Sequence, residues 1–411
     1  MRKFSWFLTL ALLLVFAVSC GDSKKTDKEK EPEEISDGDS EPAETDSDTE
    51  EPATDDSDIE PTDAEPAAEA LKCEDFAEGL NENLIVGEGK NELARSFYLR
   101  LPENVDSMEK VPVIFLYHGY GDWAENFEGL LSPYVDNDEM PYILVVPEAR
   151  DDIFAFDNIP PKGLDWDMIN LSDGSAEGDM FDAVLACLEE KWNIDEKHIH
   201  VSGFSAGAIA ANLIALTKSD KVASILTYSG AYFSDKESRD NLGEIMGMKV
   251  ADFFSWPDFP EKHNKYPQVF AFGKHDSDKW SVGGFFSIDF NDMAILGSRY
   301  LVGLGHDAIL CKHPYSHTVA GPLPSDMIKF FHDHPFGTEV SPYREAGLPG
   351  DLADCRFADG TEELEREEDD EPDEEPENPD EEPDETPETP DEEPLEPEDP
   401  VEDCFWLRCS H

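Results

Sequence analysis

The residues best suited to chemistry surround a serine between two glycines, Gly203-Phe204-Ser205-Ala206-Gly207. The β-branched run HIHVSGF precedes this serine and the alanine-rich run AIAANLIALT follows it, which predicts a strand, a sharp turn and a helix. Glycines are needed on both flanks because a Cβ there would collide with the neighbouring strand or helix. Ser205 is therefore a candidate nucleophile, and the N-terminus of the following helix would stabilise developing negative charge.

A serine hydroxyl is a poor nucleophile unless a base removes its proton and a carboxylate orients that base. For a serine on this kind of turn, the acid follows it in the chain and the histidine comes last. The acid is expected in a loop after a strand, and VFAFGKHDSDKW places Asp276 three residues past Gly273. We therefore predict Asp276 as the acid, with Asp278 as the alternative. Either could instead be a solvated loop carboxylate.

The base is expected in a late loop before the last helix, and five histidines lie in this part of the chain. His317, in HPYSHTVAGPLPSDMIKFF, precedes the last predicted helix by a short loop and is the predicted base. His306 and His313 are the alternatives. His332 and His334 lie at or beyond the helix, and we expect them on the surface.

A tetrahedral intermediate also needs two backbone N–H groups aimed at its oxyanion. One is expected at Ala206, directly after the serine. The other is expected in the turn HGYGD that follows VPVIFLY, where we assign Tyr120, with His118 holding the turn. Three tryptophans are candidates either for a surface that binds an acyl or sugar group or for core packing: Trp123, Trp166 and Trp280.

The elements that must position these residues alternate along the middle of the chain. DMFDAVLACLEEKWNI carries apolar residues at helical spacing, and a closing helix is predicted over 325–334 with Ser325 as its N-cap. Continuous apolar strands alternating with helices predict an α/β fold, with a parallel sheet covered on both faces. The clearest predicted strands, besides the one before Ser205, cover 111–119, 142–150, 222–230 and 266–273.

Acidic residues are concentrated towards the two ends of the 411-residue chain. Residues 22–70 hold 21 of them and residues 359–403 hold 27, together half of the 96 in the chain. Both stretches are rich in Pro, Ser and Thr and cannot bury enough apolar surface to fold, which predicts disordered segments over 20–70 and 358–411. One folded unit remains, over 71–357. The formal net charge of −65 would repel phosphate backbones and argues against nucleic acid as a partner.

The N-terminal stretch MRKFSWFLTLALLLVFAVSC has a basic start, an apolar core and small residues before Cys20. This pattern predicts an export signal over 1–19 rather than a membrane-spanning helix. Its last four residues resemble a bacterial lipoprotein box, which implies that Cys20 is lipidated after cleavage. The expected location is the periplasm or the cell exterior, with the chain anchored to a membrane through Cys20. An ordinary secretory signal with an incidental cysteine is the alternative.

Six cysteines remain for an oxidising compartment. Cys73 and Cys355 bracket the folded unit, so a bridge between its two ends is one expected pairing. Cys404 and Cys409 are candidates for a small C-terminal loop, and Cys187 is a candidate buried thiol. The pairing does not follow from the sequence. No Cys/His spacing indicates a metal site, and no organic cofactor is predicted.

The chain resembles the esterase branch of the α/β-hydrolases that includes polyhydroxybutyrate depolymerases, feruloyl esterases and acetylxylan esterases. The matching segments are PVIFLYHGYGDWAENF, GLDWDMIN, GDMFDAVLACLEEKWNIDEKHIHVSGFSAGA, FAFGKHDSD and SHTVAGPLPSDMIKFFHDHP, in that order over most of 75–336. The resemblance implies an α/β-hydrolase fold, a triad of Ser205, His317 and Asp276, and ester hydrolysis through an acyl-enzyme. Relatives usually have His-Gly before the aspartate, where this chain reads Phe-Gly-Lys-His-Asp.

The leading hypothesis is a lipid-anchored serine esterase that acts outside the cytoplasm on polysaccharide-linked or polyester acyl groups. A serine peptidase of the same fold is a second hypothesis. A third is a non-catalytic surface-binding protein with the acidic segments as spacers, but candidates for every triad role weigh against it. Acetyl, feruloyl and hydroxyalkanoate esters are not distinguished by the sequence.

Overall fold

The structure of the protein is a computed structural model. The predicted signal peptide and nearly all of the acidic tether lie outside the residues it describes, as do Cys20, Cys404 and Cys409. The described residues are 69–87, 92–150, 166–168, 175–245, 248–253, 256–282 and 286–365.

The described strands are β1 Gly79–Val86, β2 Leu93–Arg100, β3 Val111–Tyr117, β4 Ile143–Pro147, β5 Ile194–Phe204, β6 Ser224–Tyr228, β7 Glu244–Ile245, β8 Met248–Lys249, β9 Gln268–Phe272, β10 Lys279–Val282, β11 Phe286–Asp289, β12 Ala308–Lys312 and β13 Arg356–Phe357. Nine of them form one sheet in the order β1-β2-β4-β3-β5-β6-β9-β12-β13. The central strands β4, β3, β5, β6, β9 and β12 run parallel, while β1, β2 and β13 are antiparallel additions at the two edges. This is the predicted sheet, with β7–β8 and β10–β11 as separate small ladders.

Helices cover both faces of the sheet because the central strands are apolar on both sides. The described helices are α1 Ala124–Phe127, α2 Ala176–Lys191, α3 Ala206–Thr217, α4 Lys236–Asp240, α5 Phe290–Gly303, α6 Pro324–Asp333 and α7 Tyr343–Ala346. In β3, Phe115 belongs to a buried cluster that includes residues of α2 and α3, whereas Leu116 belongs to a second cluster that includes residues of α6. Among the described helices, none is both long enough and apolar enough to cross a bilayer.

The last predicted helix begins one residue earlier than expected. It starts at Pro324, and Leu323 rather than Ser325 occupies the N-cap position. Proline favours the first helical position because it lacks the N–H that would be unpaired there. The described chain also continues past Phe357, and Glu362 is buried where its carboxylate accepts a hydrogen bond from Arg356.

The cysteine pairing differs from the expectation. Disulfides join Cys73 to Cys187 and Cys311 to Cys355, so Cys187 is not a free thiol and Cys73 does not pair with Cys355. The physical reason is the sheet order: β1, which follows Cys73, and β13, which follows Cys355, are its opposite edges. Each cysteine instead pairs with its neighbour in space, the first with α2 and the second with β12.

Candidate active site

Ser205 occupies the predicted turn between β5 and α3, with φ 56° and ψ −123°. A non-glycine residue adopts such a conformation only when its surroundings enforce it. A Cβ on Gly203 would stand 2.4 Å from the carbonyl oxygen of Gly207, and a Cβ on Gly207 would stand 2.2 Å from that of Tyr117. The two glycines therefore permit the close packing that holds the serine at the tip of the turn.

The side chains of Ser205 and His317 meet at this turn. Ser205 Oγ lies 2.8 Å from His317 Nε2, and His317 Nδ1 lies 2.6 Å from Asp278 Oδ1. These partners assign the tautomer: the Nδ1–H donates to the carboxylate, and Nε2 accepts from the hydroxyl. The structure thus forms a hydrogen-bonded chain of serine, histidine and aspartate, and its aspartate is Asp278.

Asp278 is fully buried and each of its oxygens has a donor. The Ser229 hydroxyl donates to Oδ2 at 2.9 Å, and the backbone N–H of Gly273 donates to the same oxygen at 2.6 Å. A buried carboxylate requires such donors because the interior solvates it poorly. Ser229 was not identified from the sequence, where nothing distinguishes it from other serines after a strand.

Asp276, the predicted acid, does not contact His317, and this prediction is corrected. Its side chain is about half exposed and lies near Lys279 and His275, at 3.5 and 3.4 Å. The loop coils into a helical turn, in which the N–H of Asp278 donates to the carbonyl of Lys274 at 2.9 Å. This turn directs Asp278 towards the imidazole of His317 and leaves Asp276 on the solvent-facing side of the loop.

Two phenylalanines hold the imidazole of His317. The ring of Phe290 stacks on it with centroids 4.7 Å apart, and the ring of Phe204 lies 4.8 Å away. The N–H of Phe290 also donates to the backbone carbonyl of Asp278 at 2.8 Å. Phe290 was missed from the sequence, because it is distant in the chain from the serine and histidine motifs.

The two predicted oxyanion donors lie in different segments of the chain, Ala206 directly after Ser205 and Tyr120 after β3. Ala206 is the first residue of α3, so its N–H has no carbonyl one turn earlier within the helix. Tyr120 lies in the loop after β3, which packs on the serine turn: a Cβ on Gly119 would stand 3.0 Å from the ring of Phe204. The buried His118 ring accepts a hydrogen bond from Ala149 and donates one to Gly119, so it ties this loop down.

The remaining late histidines do not contact the serine. His306 bonds to the carbonyl of Tyr266, and burial lowers its pKa to about 4. His313 is buried, and burial lowers its pKa as well. His334, expected on the surface, is fully buried instead, where its ring bonds to the Ser341 hydroxyl at 2.7 Å.

The three tryptophans have different environments. Trp166 is buried and donates from Nε1 to the carbonyl of His118 at 3.1 Å, so it packs and positions the loop rather than offering a surface. Trp123 is more than half exposed. The ring of Trp280 in β10 lies 5.9 Å from that of Tyr120, so aromatic side chains from β10 and from the loop after β3 meet.

No family model matches the chain. The solved structures of native sOPH and native pOPH are similar to it at 17% identity, with TM-scores of 0.53 and 0.51; each match covers 71% of this chain and 96% of the other. The serine turn after β5, the parallel centre of the sheet and these matches together decide the architecture. The chain has the α/β-hydrolase fold.

A sequence relative is also found. Feruloyl esterase B of Talaromyces stipitatus is 26% identical over 197 residues, which are 47% of this chain. The matched region spans about half of that relative, 52% of its length. In the α/β-hydrolase fold, a serine at this turn is suited to attack on a carbonyl carbon when it is hydrogen-bonded to a histidine that is itself hydrogen-bonded to a buried aspartate.

Proposed function

We propose that this α/β-hydrolase is a serine esterase that cleaves carboxylic esters through an acyl-enzyme, with Ser205, His317 and Asp278 as its triad. The supporting observation is the continuous hydrogen-bonded chain from Ser205 Oγ through the imidazole to Asp278, at 2.8 and 2.6 Å. The similarity to a feruloyl esterase supports an ester, rather than another acyl compound, as the substrate.

In the first half-reaction, Ser205 Oγ attacks the ester carbonyl carbon while His317 Nε2 takes the hydroxyl proton. Asp278 stabilises the imidazolium through its bond to Nδ1–H. The backbone N–H groups of Ala206 and Tyr120 are the proposed donors to the oxyanion. Collapse of the tetrahedral intermediate breaks the bond to the alcohol, which leaves with the proton held on Nε2.

In the second half-reaction, a water molecule takes the place of the alcohol. His317 Nε2 removes a proton from this water as it attacks the acyl-enzyme, and the second tetrahedral intermediate uses the same N–H donors. Ser205 leaves with the proton from the imidazolium. The products are a carboxylic acid and the free, reprotonated serine.

The substrate and location are part of the proposal. Tyr120 and Trp280, whose rings lie 5.9 Å apart, supply aromatic faces that suit the flat face of a sugar ring or an aromatic acyl group. We infer that the acyl groups are carried by a polysaccharide or a polyester. The N-terminal pattern ending at Cys20 supports action outside the cytoplasm by a lipid-anchored protein.

A panel of acetyl, feruloyl and hydroxyalkanoate esters tests this function, with the Ser205→Ala variant as the control. We expect hydrolysis of at least one ester by the parent protein and a loss of about 10³-fold or more in the variant. Equal inactivity of the two proteins on the whole panel would favour the non-catalytic hypothesis. Serine-dependent cleavage of peptides without cleavage of esters would favour the peptidase.

A further inference from the structure

A second group of titratable side chains lies on the other side of the loop that carries Asp278. His275 and Asp276 belong to this loop, Asp289 ends β11, and Asp292 lies in the first turn of α5. His275 Nδ1 is 3.4 Å from Asp289 Oδ2 and 3.4 Å from Asp292 Oδ1, and His275 Nε2 is 3.4 Å from Asp276 Oδ2. Three carboxylates therefore surround one imidazole.

Two ligand-type atoms in this group lack hydrogen-bond partners. Asp292 is 9% exposed, and among the described residues its Oδ1 has no donor although Oδ2 accepts from Asn241 at 3.1 Å. The buried Nδ1 of His275 has no hydrogen-bond partner either. Buried polar atoms are rarely left this way, because each unpaired group costs about 1–3 kcal/mol. The two atoms lie 3.4 Å from each other, at ion-pair distance but without a hydrogen bond between them.

The separation of these atoms matches the edge of a metal coordination sphere. Zn²⁺ holds imidazole nitrogen and carboxylate oxygen at about 2.0–2.2 Å, which places tetrahedral ligand atoms roughly 3.4 Å apart. One ligand atom each from His275, Asp276 and Asp289 lies within 4.8 Å of the others. A mixture of imidazole and carboxylate ligands suits Zn²⁺ or Mn²⁺ better than Ca²⁺, which prefers oxygen alone.

We propose that His275, Asp276 and Asp289, with Asp292 as a fourth ligand, form a binding site for one divalent cation of the Zn²⁺ or Mn²⁺ class. The electrostatics favour a cation, because three carboxylates face the site and Lys279, 3.5 Å from Asp276, is the neighbouring positive side chain.

The site is structural, and its place in the fold connects it to the triad. Asp289 Oδ2 accepts the N–H of Asp276 at 2.7 Å and so fastens the loop over 273–278, between β9 and β10, to the start of α5. The next residue, Phe290, donates its N–H to the carbonyl of Asp278 and stacks on His317. A cation at this point would cross-link the loop that carries Asp278 to the segment whose Phe290 stacks on His317.

The test uses the full chain, stripped with a chelator and then titrated with Zn²⁺, Mn²⁺, Ca²⁺ or Mg²⁺ by calorimetry, with thermal unfolding as a second readout. We expect one site per chain for Zn²⁺ or Mn²⁺ and a higher Tm when it is filled. Asp292→Asn and His275→Gln should each weaken this binding by about 100-fold or more, since even residues behind the ligands account for 10–100-fold.

Two controls separate this site from other cation binding. Asp182→Asn removes a carboxylate that pairs with Lys218 and Lys221 elsewhere, keeps both acidic terminal segments, and should bind as the parent does. Ser205→Ala should also bind normally, so the proposal fails or stands independently of esterase activity. Equal binding by the parent and both ligand variants would overturn the proposal, and so would binding of Ca²⁺ alone.

Discussion

Two aspartates of one loop, Asp276 and Asp278, meet opposite environments only two residues apart. Asp278 is fully buried and accepts hydrogen bonds from His317, Ser229 and Gly273. Asp276 has a positive φ of 58°, is half exposed, and faces charged side chains. The loop therefore gives two identical side chains different surroundings, because they leave the backbone in different directions. The carboxylate of Asp278 is surrounded by hydrogen-bond donors in the interior, whereas that of Asp276 joins a cluster with more negative than positive side chains.

The largest effect is expected from exchanging each aspartate for asparagine. Asp278→Asn should lower kcat/KM by about 10⁴-fold, because the imidazole loses the charge that fixes its tautomer and stabilises its protonated form. Asp276→Asn should change it by less than about threefold. The rates are measured on a chromogenic acetate ester with the chelator present, after circular dichroism has shown that both variants fold. Comparable losses in the two variants would contradict the division of roles.

A second test asks whether a loss of stability caused outside this loop imitates the loss of Asp278. Replacing Cys311 and Cys355 by alanine removes a bridge across 44 residues, and replacing Cys73 and Cys187 removes one across 114. Chain entropy predicts losses of about 4 and 5 kcal/mol in the free energy of unfolding, measured in urea. The folded variants should keep kcat within about twofold. A large fall in kcat at temperatures where they remain folded would mean that a loss of stability imitates the loss of Asp278.

A smaller effect is expected at Phe290, which follows Asp289 in the chain and also contacts Asp278 and His317. Phe290→Leu retains an apolar side chain but loses the stacking on His317, which is worth about 0.5–1.5 kcal/mol. We expect kcat to fall by about three- to tenfold with KM little changed. Phe259→Leu is the matched control, because Phe259 packs against Tyr232 and Tyr266 instead. Equal effects of the two changes would remove the positioning role of Phe290.

The smallest effect concerns Asp292, in the same cluster as Asp276, and the pH dependence of its contribution to stability. The fold raises the pKa of Asp292, so its charged form is disfavoured in the folded protein and this cost is present above that raised pKa. In chelator at neutral pH, Asp292→Asn should therefore raise Tm by about 1–2 °C. The gain should shrink as pH falls towards the ordinary pKa of a carboxyl group, where the parent side chain is protonated. A gain that grows in acid would contradict this sign.

The sequence predicted the serine and the histidine of the triad but not which of the two aspartates completes it. Chain order and strand–turn–helix patterning predicted the serine turn and the loop of the base, and the structure brings Ser205 and His317 within 2.8 Å. The choice between Asp276 and Asp278 depended on one helical turn, whose hydrogen bond from Asp278 to Lys274 leaves no periodic signal. His334 was misplaced for a related reason, since its burial depends on Ser341 from a segment beyond the helix.

The sequence by itself determined the alternation of apolar strands and helices, hence the parallel sheet, and the bend that presents Ser205, because local sterics and hydrophobic periodicity act over a few residues. Tertiary structure alone decided the cysteine partners, the buried donors to Asp278, the stacking of Phe290 and the convergence of His275 with three carboxylates. These contacts join segments that are distant in the chain, and their partners are set by how loops pack at the edge of the sheet, which no short-range pattern records.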